Sequence, residues 1–193
     1  MIKDKVILEN IRKQYLRGYK EAIEDKVFKL CFDVEVWERV LNDIELKLYH
    51  DIKEIGVFMY PYFPIGGDFA DFANPFKKIA IIIKYKKSWD WHIKKRQKFF
   101  EGFGYTVYIL ESAGVTHSLE KFYQIQNFTN FYSWEYADLE ERKEFLNKFK
   151  NQNSQCLITY LKENYSWCTG DIAPDYNALN KQNERMEKWL TVF

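Results

Sequence analysis

The sequence predicts an α/β protein with a mixed β-sheet core, flanking helices and a helical C-terminal extension. Apolar residues between positions 8 and 56 recur at intervals of three and four, which is typical of amphipathic helices. Between positions 57 and 110, short apolar runs bounded by proline and glycine surround one further helical segment. Helices followed by three strands, a helix and a strand form an α/β core with a mixed sheet.

Two helices are predicted before the first strand. The first covers residues 8–31, and the second follows it, with Asp33 as its N-cap and an end near Gly56. Their apolar positions fall on one side of each helix. Both helices should therefore face the core and leave a polar side in water.

Four strands are predicted, at residues 57–60, 69–73, 79–84 and 105–110. The prolines and glycines between the first two strands predict a turn or an irregular edge. The third strand is continuously apolar from Ile79 to Ile83, which predicts burial on both faces. A helix over residues 89–103 should connect the last two strands, with Gly104 as its C-cap.

The remainder of the chain reads as helical, in segments 117–128, 139–165 and 177–191. We therefore divide the sequence into an α/β core with N-terminal helices, residues 1–112, and a helical extension packed on it, residues 113–193. Neither part contains an internal repeat or a low-complexity stretch.

The composition argues against several classes of protein, among them zinc-stabilised, secreted and membrane-spanning proteins. The three cysteines, Cys31, Cys156 and Cys168, are widely spaced, so a structural zinc site is not expected. Free thiols fit a reducing compartment, and neither a signal-type segment nor a membrane-spanning run is present. These features predict an intracellular, cytoplasmic protein without a membrane partner.

Charge is distributed unevenly along the chain. The net charge is only +1, but residues 77–98 carry nine Lys or Arg and a single acid, Asp90. A local excess of this kind can attract a polyanion even when the whole protein is nearly neutral. Trp89 and Trp91 lie in the same stretch. They could stack on exposed bases, although packing of the helix against the sheet is the interpretation we favour at this point.

Strand periodicity places one acid opposite the third strand. Side chains alternate across a strand, so Ala80, Ile82 and Lys84 share one face, which Asp71 on the preceding strand could also face. Hydrolysis of a phosphodiester needs a hard cation held by oxygen ligands, and a nearby lysine can offset charge on the phosphate. An acid facing a lysine beside a cationic helix is compatible with such a site.

These motifs resemble the PD-(D/E)XK nuclease superfamily, in particular its very-short-patch-repair and related small-endonuclease branch. Several short matches in a fixed order carry the resemblance: Tyr60-Pro61-Tyr62-Phe63-Pro64-Ile65-Gly66, Asp71-Phe72-Ala73, Lys78-Ile79-Ala80-Ile81, Arg96, and Phe103-Gly104-Tyr105-Thr106-Val107. They cover about a quarter of the chain. The resemblance implies a restriction-endonuclease-like fold and a Mg²⁺-dependent site.

The resemblance assigns roles to single positions. Asp71 matches the first metal-binding aspartate, and Lys84 matches the lysine of the general motif. The acidic position between them is Ile82, which cannot ligate a cation through its side chain. An auxiliary glutamate is expected from the second helix. Glu35, Glu38 and Glu45 are available there, and Glu38 is our choice alongside Asp71 if the protein is active.

The expected function is therefore nucleic-acid association, with DNA as the expected ligand, by a nuclease-like protein that has lost metal-dependent cleavage and needs no cofactor. An ion pair between Lys84 and Asp71 should replace the metal. Phosphate contacts are expected from seven basic residues: Lys84, Lys86, Lys87, Lys94, Lys95, Arg96 and Lys98.

Two alternatives remain open. The first is an active Mg²⁺-dependent DNA endonuclease with a relocated acid, in which Asp71, Lys84 and His92 are the catalytic candidates. The second is a structural or protein-interaction module that has lost nucleic-acid binding and associates with a protein partner or with itself. The aromatic-rich helical extension and the neutral overall charge motivate the second alternative.

Overall fold

The computed structural model describes residues 5–25, 34–128 and 134–165. These ranges contain seven α-helices and four strands. The helices are α1 (Lys5–Asp25), α2 (Val34–Val40), α3 (Asp43–Ile55), α4 (Asp90–Gly102), α5 (Leu119–Ile125), α6 (Leu139–Phe149) and α7 (Ser154–Asn164). The strands are β1 (Tyr60–Ile65), β2 (Asp68–Asn74), β3 (Ile79–Lys84) and β4 (Thr106–Glu111), and short 3₁₀ turns occur at Ser112–Val115 and Trp134–Tyr136.

The four strands form one mixed sheet in the order β1-β2-β3-β4. β2 pairs antiparallel with β1 and with β3, and β4 pairs parallel with β3 after the α4 crossover. A parallel neighbour needs such a crossover, because a tight turn can join only antiparallel strands. The predicted mixed α/β architecture is confirmed.

The first strand was misplaced by the sequence prediction. It runs from Tyr60 to Ile65 instead of 57–60, and it contains Pro61 and Pro64. Proline lacks an N–H donor, but an edge strand tolerates it, and β1 is an edge of this sheet. The carbonyl of Pro61 accepts a hydrogen bond from the hydroxyl of Tyr15 on α1.

A tight turn joins the first two strands. Ile65 pairs with Asp68, so only two glycines lie between them. Gly66 has a φ of +62°. A Cβ at this position would lie 2.5 Å from the ring of Phe103, so glycine is needed here for conformation and for space.

The predicted second helix is two helices. Apolar spacing continues across Leu41 and Asn42, but α2 ends at Val40 and α3 begins at Asp43. Asn42 is the N-cap of α3, and its side chain accepts hydrogen bonds from the N–H groups of Ile44 and Glu45. The carboxylate of Glu45 accepts from the Asn42 N–H at 3.0 Å, completing a capping box. This local cap starts a new helix.

The third strand and the crossover helix follow the prediction closely. Residues Ile79–Ile83 of β3 are buried, as continuous apolar character predicted. The C-cap of α4 is Phe103, one residue before the predicted Gly104, which follows at φ +81° and whose N–H donates to the carbonyl of Glu101. Only two positions of α4, Ile93 and Phe100, are buried apolar side chains, so most of the helix surface faces water.

The C-terminal described region builds a second apolar cluster. Its members are Phe122, Tyr123, Ala137, Phe145, Leu146, Phe149 and Cys156. Helix α7 contributes Cys156 to this cluster and Leu157, Ile158 and Leu161 to the core beneath the sheet. The predicted segment 139–165 thus contains two helices, with Asn153 capping the second. The division between residues 112 and 113 stays a prediction.

Three predicted features lie outside the described residues: the end of the first helix after residue 25, the Asp33 cap, and the helical segment 177–191. Among the helices of the described ranges, none combines the length and the apolar character that crossing a membrane would require.

Candidate nucleic-acid interface and the Asp71 site

Asp71, the acid that the sequence analysis identified, belongs to a row of residues that crosses strands β1, β2 and β3. The β1–β2 register pairs Phe63 with Ala70, and the β2–β3 register pairs Phe72 with Ile81. Continuing each register by one residue puts Tyr62 and Ile82 opposite Asp71 on either side. Directly opposed residues of antiparallel strands share a face. Asp71 and position 82 are therefore neighbours, as the sequence argument required.

The row is irregular at Tyr62, which has a φ of +48°. This left-handed conformation is rare for residues other than glycine and costs on the order of 1 kcal/mol. The Tyr62 hydroxyl donates a hydrogen bond to the buried carboxylate of Glu45 on α3. This hydrogen bond links the edge strand β1 to helix α3.

Glu45 is the centre of a buried polar group. It accepts hydrogen bonds from the hydroxyls of Tyr62 and Tyr85 and from the Asn42 N–H. Burial raises the pKa of Tyr85 well above its usual value, and the negative charges of Glu45 and Asp71 add to the rise. Glu45 and Asp71 therefore act on the same phenol. Glu38, our choice from the sequence, is exposed on α2.

The carboxylate of Asp71 contacts the backbone of β3 and a side chain of α4. Its Oδ2 accepts a hydrogen bond from the N–H of Ile83 at 2.6 Å, just beyond the last regular β2–β3 pair. Its Oδ1 lies 3.5 Å from Nη2 of Arg96 on α4. The side chains of Asp71 and Arg96 are only 14% and 17% exposed. This pair is therefore shielded from solvent more than a surface ion pair is.

Arg96 connects α4 to the β1–β2 hairpin. Its Nε lies 3.2 Å from Oδ2 of Asp68, its Nη2 donates to the carbonyl of Phe69, and its guanidinium carbon lies 5.6 Å from the centre of the Phe100 ring. Burial lowers the pKa of Arg96, but the charges of Asp71 and Asp68 outweigh burial and raise it. The sequence placed Arg96 among the phosphate-binding residues, whereas the structure directs its guanidinium inward.

The expected ion pair between Lys84 and Asp71 was wrong. The Nζ atom of Lys84 lies 3.0 Å from Asp90 Oδ1 and 3.1 Å from Glu111 Oε1. Its hydrogen bonds with Asp90 and then with Glu111 raise the pKa of Lys84. Glu111 is opposite Lys84 in the parallel β3–β4 register, which explains the contact. The cation next to Asp71 is Arg96.

The residues present do not fit a Mg²⁺ site of the implied kind. Position 82 is a fully buried isoleucine, and a guanidinium holds the carboxylate that would be the first ligand. Within residues 5–25, 34–128 and 134–165, no group of three or more His, Cys, Asp or Glu side chains is arranged to hold a metal ion. Two of the hard oxygen ligands that Mg²⁺ requires are thus replaced or occupied.

His92 lies on the exposed side of α4. Its ring is 5.6 Å from the ring of Trp91, at an interplanar angle of 88°. Within the described part of the chain, His92 makes no ion pair with Asp71. The structure brings together Asp71, Arg96 and Asp68, while His92 and Glu38 lie on exposed surfaces.

The strongest exposed feature is a basic surface at the start of α4. We call it the Trp–Lys face, and it consists of Lys86, Lys87, Trp89, Trp91, Lys94, Lys95 and Lys98. All seven side chains are exposed. None of the five lysines forms an ion pair with another described residue. Their charges are therefore available to an external anion.

The expected packing of the two tryptophans was wrong. Trp89 is 74% exposed and Trp91 is 62% exposed. Trp89 is the N-cap residue of α4 and makes no capping hydrogen bond through its side chain. The underside of α4 is filled instead by Ile93 and Phe100. The two indoles are thus left on the same surface as the lysines.

Sequence reasoning missed Asp68 and Tyr85 as parts of the site. Asp68 is three residues from Asp71, so the two side chains would point to opposite faces of a regular strand, but the long Arg96 side chain reaches both carboxylates. One signal was available for Glu45. Asn42 and Glu45 have the spacing of a capping box, which would have fixed that glutamate near the start of a helix.

Three comparisons with known proteins complete the description of the site. A scan against protein-family models found no match to this chain. Searches of curated proteins and of solved structures likewise found no significant match.

Proposed function

We propose that this protein binds nucleic acid, with DNA as the expected ligand, through the lysines of the Trp–Lys face. The observation that carries the proposal is the presence, on residues 86–98, of five exposed lysines that form no ion pair with any residue the structure describes. The phosphate backbone is a regular polyanion, and lysine is a common partner for it. Contacts between these solvated lysines and phosphates would release the counterions that are condensed on the nucleic acid.

We further propose that the core is restriction-endonuclease-like. Support comes from the element order, in which α3 is followed by three antiparallel strands, the α4 crossover and a parallel strand. The row of Tyr62, Asp71 and Ile82 supplies additional support, because it places the motif positions side by side. The proposal does not include metal-dependent cleavage at Asp71. Arg96 and Ile82 stand where a cation and its second carboxylate would be needed.

The salt dependence of binding tests the proposal. If all five lysines contact phosphates of a duplex, the logarithm of the association constant falls against the logarithm of salt with a slope of about −4.5. Affinity for a fluorescein-labelled duplex should then decrease by about 500-fold between 50 and 200 mM salt. Fluorescence anisotropy titrations at several salt concentrations measure the slope. A flat affinity over this range contradicts the proposal.

Matched lysine variants locate the interface. The double substitution Lys94→Gln and Lys95→Gln should reduce the magnitude of the duplex slope by about 2, because two phosphate contacts are lost. The control substitutes Lys121 and Lys162, which are exposed on α5 and α7, in the same way. The control removes the same charge but should leave the slope unchanged. Equal effects of both pairs would show attraction to net charge and no defined interface.

Cleavage is checked in the same preparation. Supercoiled plasmid incubated with the protein and Mg²⁺ should stay intact. Nicking that disappears in Asp71→Ala and in EDTA would instead support an active endonuclease with a relocated ligand, and would overturn the non-cleaving part of the proposal.

A protein-interaction role is the second candidate. It is favoured by three large apolar side chains exposed in the C-terminal described region, Ile125, Tyr136 and Leu139. Exposed apolar groups of this kind occur in association surfaces. Analytical ultracentrifugation tests self-association. A stable oligomer that dissociates in a Tyr136→Ser and Leu139→Ser variant, together with no binding of DNA, would favour this role over the first.

A further inference from the structure

We infer that the Trp–Lys face selects unpaired nucleotides, with the indoles of Trp89 and Trp91 stacking on bases while the lysines contact the phosphates. The inference rests on the proposed nucleic-acid binding and names the strand state that the same surface prefers. A base within a duplex is already stacked on both sides. An unpaired base offers a free π-face that an exposed indole can cover.

The spacing along α4 places the groups on one side of the helix. Trp91, Lys94, Lys95 and Lys98 stand at positions i, i+3, i+4 and i+7, which fall along one helical face. This stripe is about 10 Å long at 1.5 Å per residue. Trp89, Lys86 and Lys87 precede this stripe in the chain, just before the N-terminus of the helix. The two indoles thus lie between two groups of exposed lysines along the chain.

The exposure of both indoles favours a role in binding a ligand. Ring contacts join most aromatic side chains of the second apolar cluster, such as Phe145 with Tyr123 and Phe149 at 4.8 Å between ring centres. Trp91 contacts only His92 among the rings of the described residues, and Trp89 contacts none. Leaving two large apolar rings in water forgoes the free energy that their burial would supply. A stacked base would bury them.

Charge and composition select the class of ligand. The Trp–Lys face contains five lysines and no acid, and the one acid within residues 77–98, Asp90, already pairs with Lys84. It contains no aliphatic side chain beside the tryptophans, so an apolar protein groove is a poor match. A polyanion carrying aromatic groups at regular intervals satisfies both the ammonium groups and the indoles. Single-stranded nucleic acid has this chemistry.

Three labelled probes test the inference. They are a single-stranded DNA 20-mer, its duplex, and an abasic strand with the same length and charge. The wild-type protein at fixed salt should bind the single strand at least about fivefold more tightly than the abasic strand, because each stacked base contributes about 1–3 kcal/mol. Equal affinities for these two probes would overturn the inference but leave phosphate binding standing. Absence of binding to all three probes would overturn the proposed function itself.

Tryptophan variants assign the effect to residues. Trp89→Ala with Trp91→Ala should abolish the preference for the single strand over the abasic strand without changing the salt slope. The corresponding double phenylalanine variant retains a π-face and should keep part of the preference. Tyr136→Ala is the control, because Tyr136 is 75% exposed but lies far along the chain, beyond α5. Loss of preference in the control, or its persistence in the double alanine variant, would overturn the assignment.

A lipid surface is the competing occupant, since tryptophan and lysine also favour anionic membranes. Vesicles of phosphatidylcholine with a fraction of phosphatidylserine provide the probe. No tryptophan-dependent binding to these vesicles is expected. Binding to them that requires Trp89 and Trp91, without discrimination between the single strand and the abasic strand, would overturn the inference.

Discussion

Arg96 and Asp71 form an ion pair between α4 and β2, with Nη2 of Arg96 3.5 Å from Oδ1 of Asp71. The same guanidinium reaches Asp68 and the carbonyl of Phe69. One side chain thus satisfies the acids of the hairpin and fixes the crossover helix on the sheet. The exposed lysines of α4 lie on the opposite, outer side of the same helix.

Replacement of Arg96 by glutamine should lower the free energy of unfolding by about 2 kcal/mol. Glutamine cannot reach both acids, so the shielded carboxylate of Asp71 and the partly exposed carboxylate of Asp68 would lose a charged partner. Urea denaturation of the two proteins measures the change. Because Arg96 points inward, the substitution should not reduce the salt slope of nucleic-acid binding.

The matched control is Lys95→Gln, one residue away and exposed to water. Its effect on stability should stay within about 0.5 kcal/mol, as for most surface substitutions. An equal loss of stability in both variants would mean that the contacts of Arg96 do not stabilise the fold.

Glu45→Gln should destabilise the protein by about 2 kcal/mol. The buried carboxylate accepts hydrogen bonds from Tyr62, Tyr85 and Asn42, and an amide would weaken these bonds and bring buried donors of its own. Thermal and urea denaturation give the change. Glu38→Gln, at an exposed position on α2, is the control and should be nearly neutral. The reverse order would show that the hydrogen bonds of Glu45 do not stabilise the fold.

Stability should fall above pH 10 because of Tyr15. Burial, followed by the charges of Tyr60 and Tyr49, raises the pKa of Tyr15 well above its usual value. Above about pH 10, the unfolded state loses this proton while the native state keeps it, so stability falls by at most about 1.4 kcal/mol per pH unit. Below pH 10 both states are protonated, and this contribution does not vary.

Urea denaturation between pH 9 and pH 11 measures the effect. Tyr15→Phe should make the fall shallower, although it also removes the hydrogen bond to the carbonyl of Pro61 at every pH. Tyr136→Phe, at an exposed position, should leave the pH profile unchanged. Identical profiles for wild type and Tyr15→Phe would contradict the assignment.

Gly114→Ala should lower stability by about 2–3 kcal/mol. A Cβ on Gly114 would lie 1.9 Å from the carbonyl oxygen of Gln152, so the link between α6 and α7 would have to move. Gly102→Ala is the control at the end of α4, where a Cβ meets nothing within 4 Å. That change should be neutral or stabilising by about 0.5 kcal/mol. A neutral result at Gly114 would show that this contact yields easily.

The parts of the fold that were predicted correctly are those with a strong local pattern. The bounds of β3 and the crossover helix follow from a continuous apolar run and from the glycine at position 104. The break between α2 and α3 was missed because the apolar period continues through it. The polar side chain of Asn42 nevertheless caps the start of a separate helix, α3. The bounds of β1 were predicted wrongly because the strand contains prolines, which are compatible with a strand only at an edge.

The candidate site was predicted in outline only. Alternation along the strands predicted Asp71 next to position 82, and the β2–β3 register, extended by one residue beyond the Phe72–Ile81 pair, agrees with this placement. The cation that pairs with Asp71 could not be derived this way, because it depends on the rotation of α4 over the sheet and on the reach of Arg96. Likewise, Lys84 turned to Glu111 because of the parallel register with β4, a long-range property.

The two prolines of β1 also affect one route of aggregation, the pairing of β1 with a strand of another molecule. Strand edges usually recruit further strands through a row of free N–H and C=O groups. Here Pro61 and Pro64 interrupt that row, and Tyr15 occupies the carbonyl of Pro61. Edge-to-edge pairing through β1 is thus disfavoured while the native state persists. Any ordered self-assembly through β1 would first require α1 to detach.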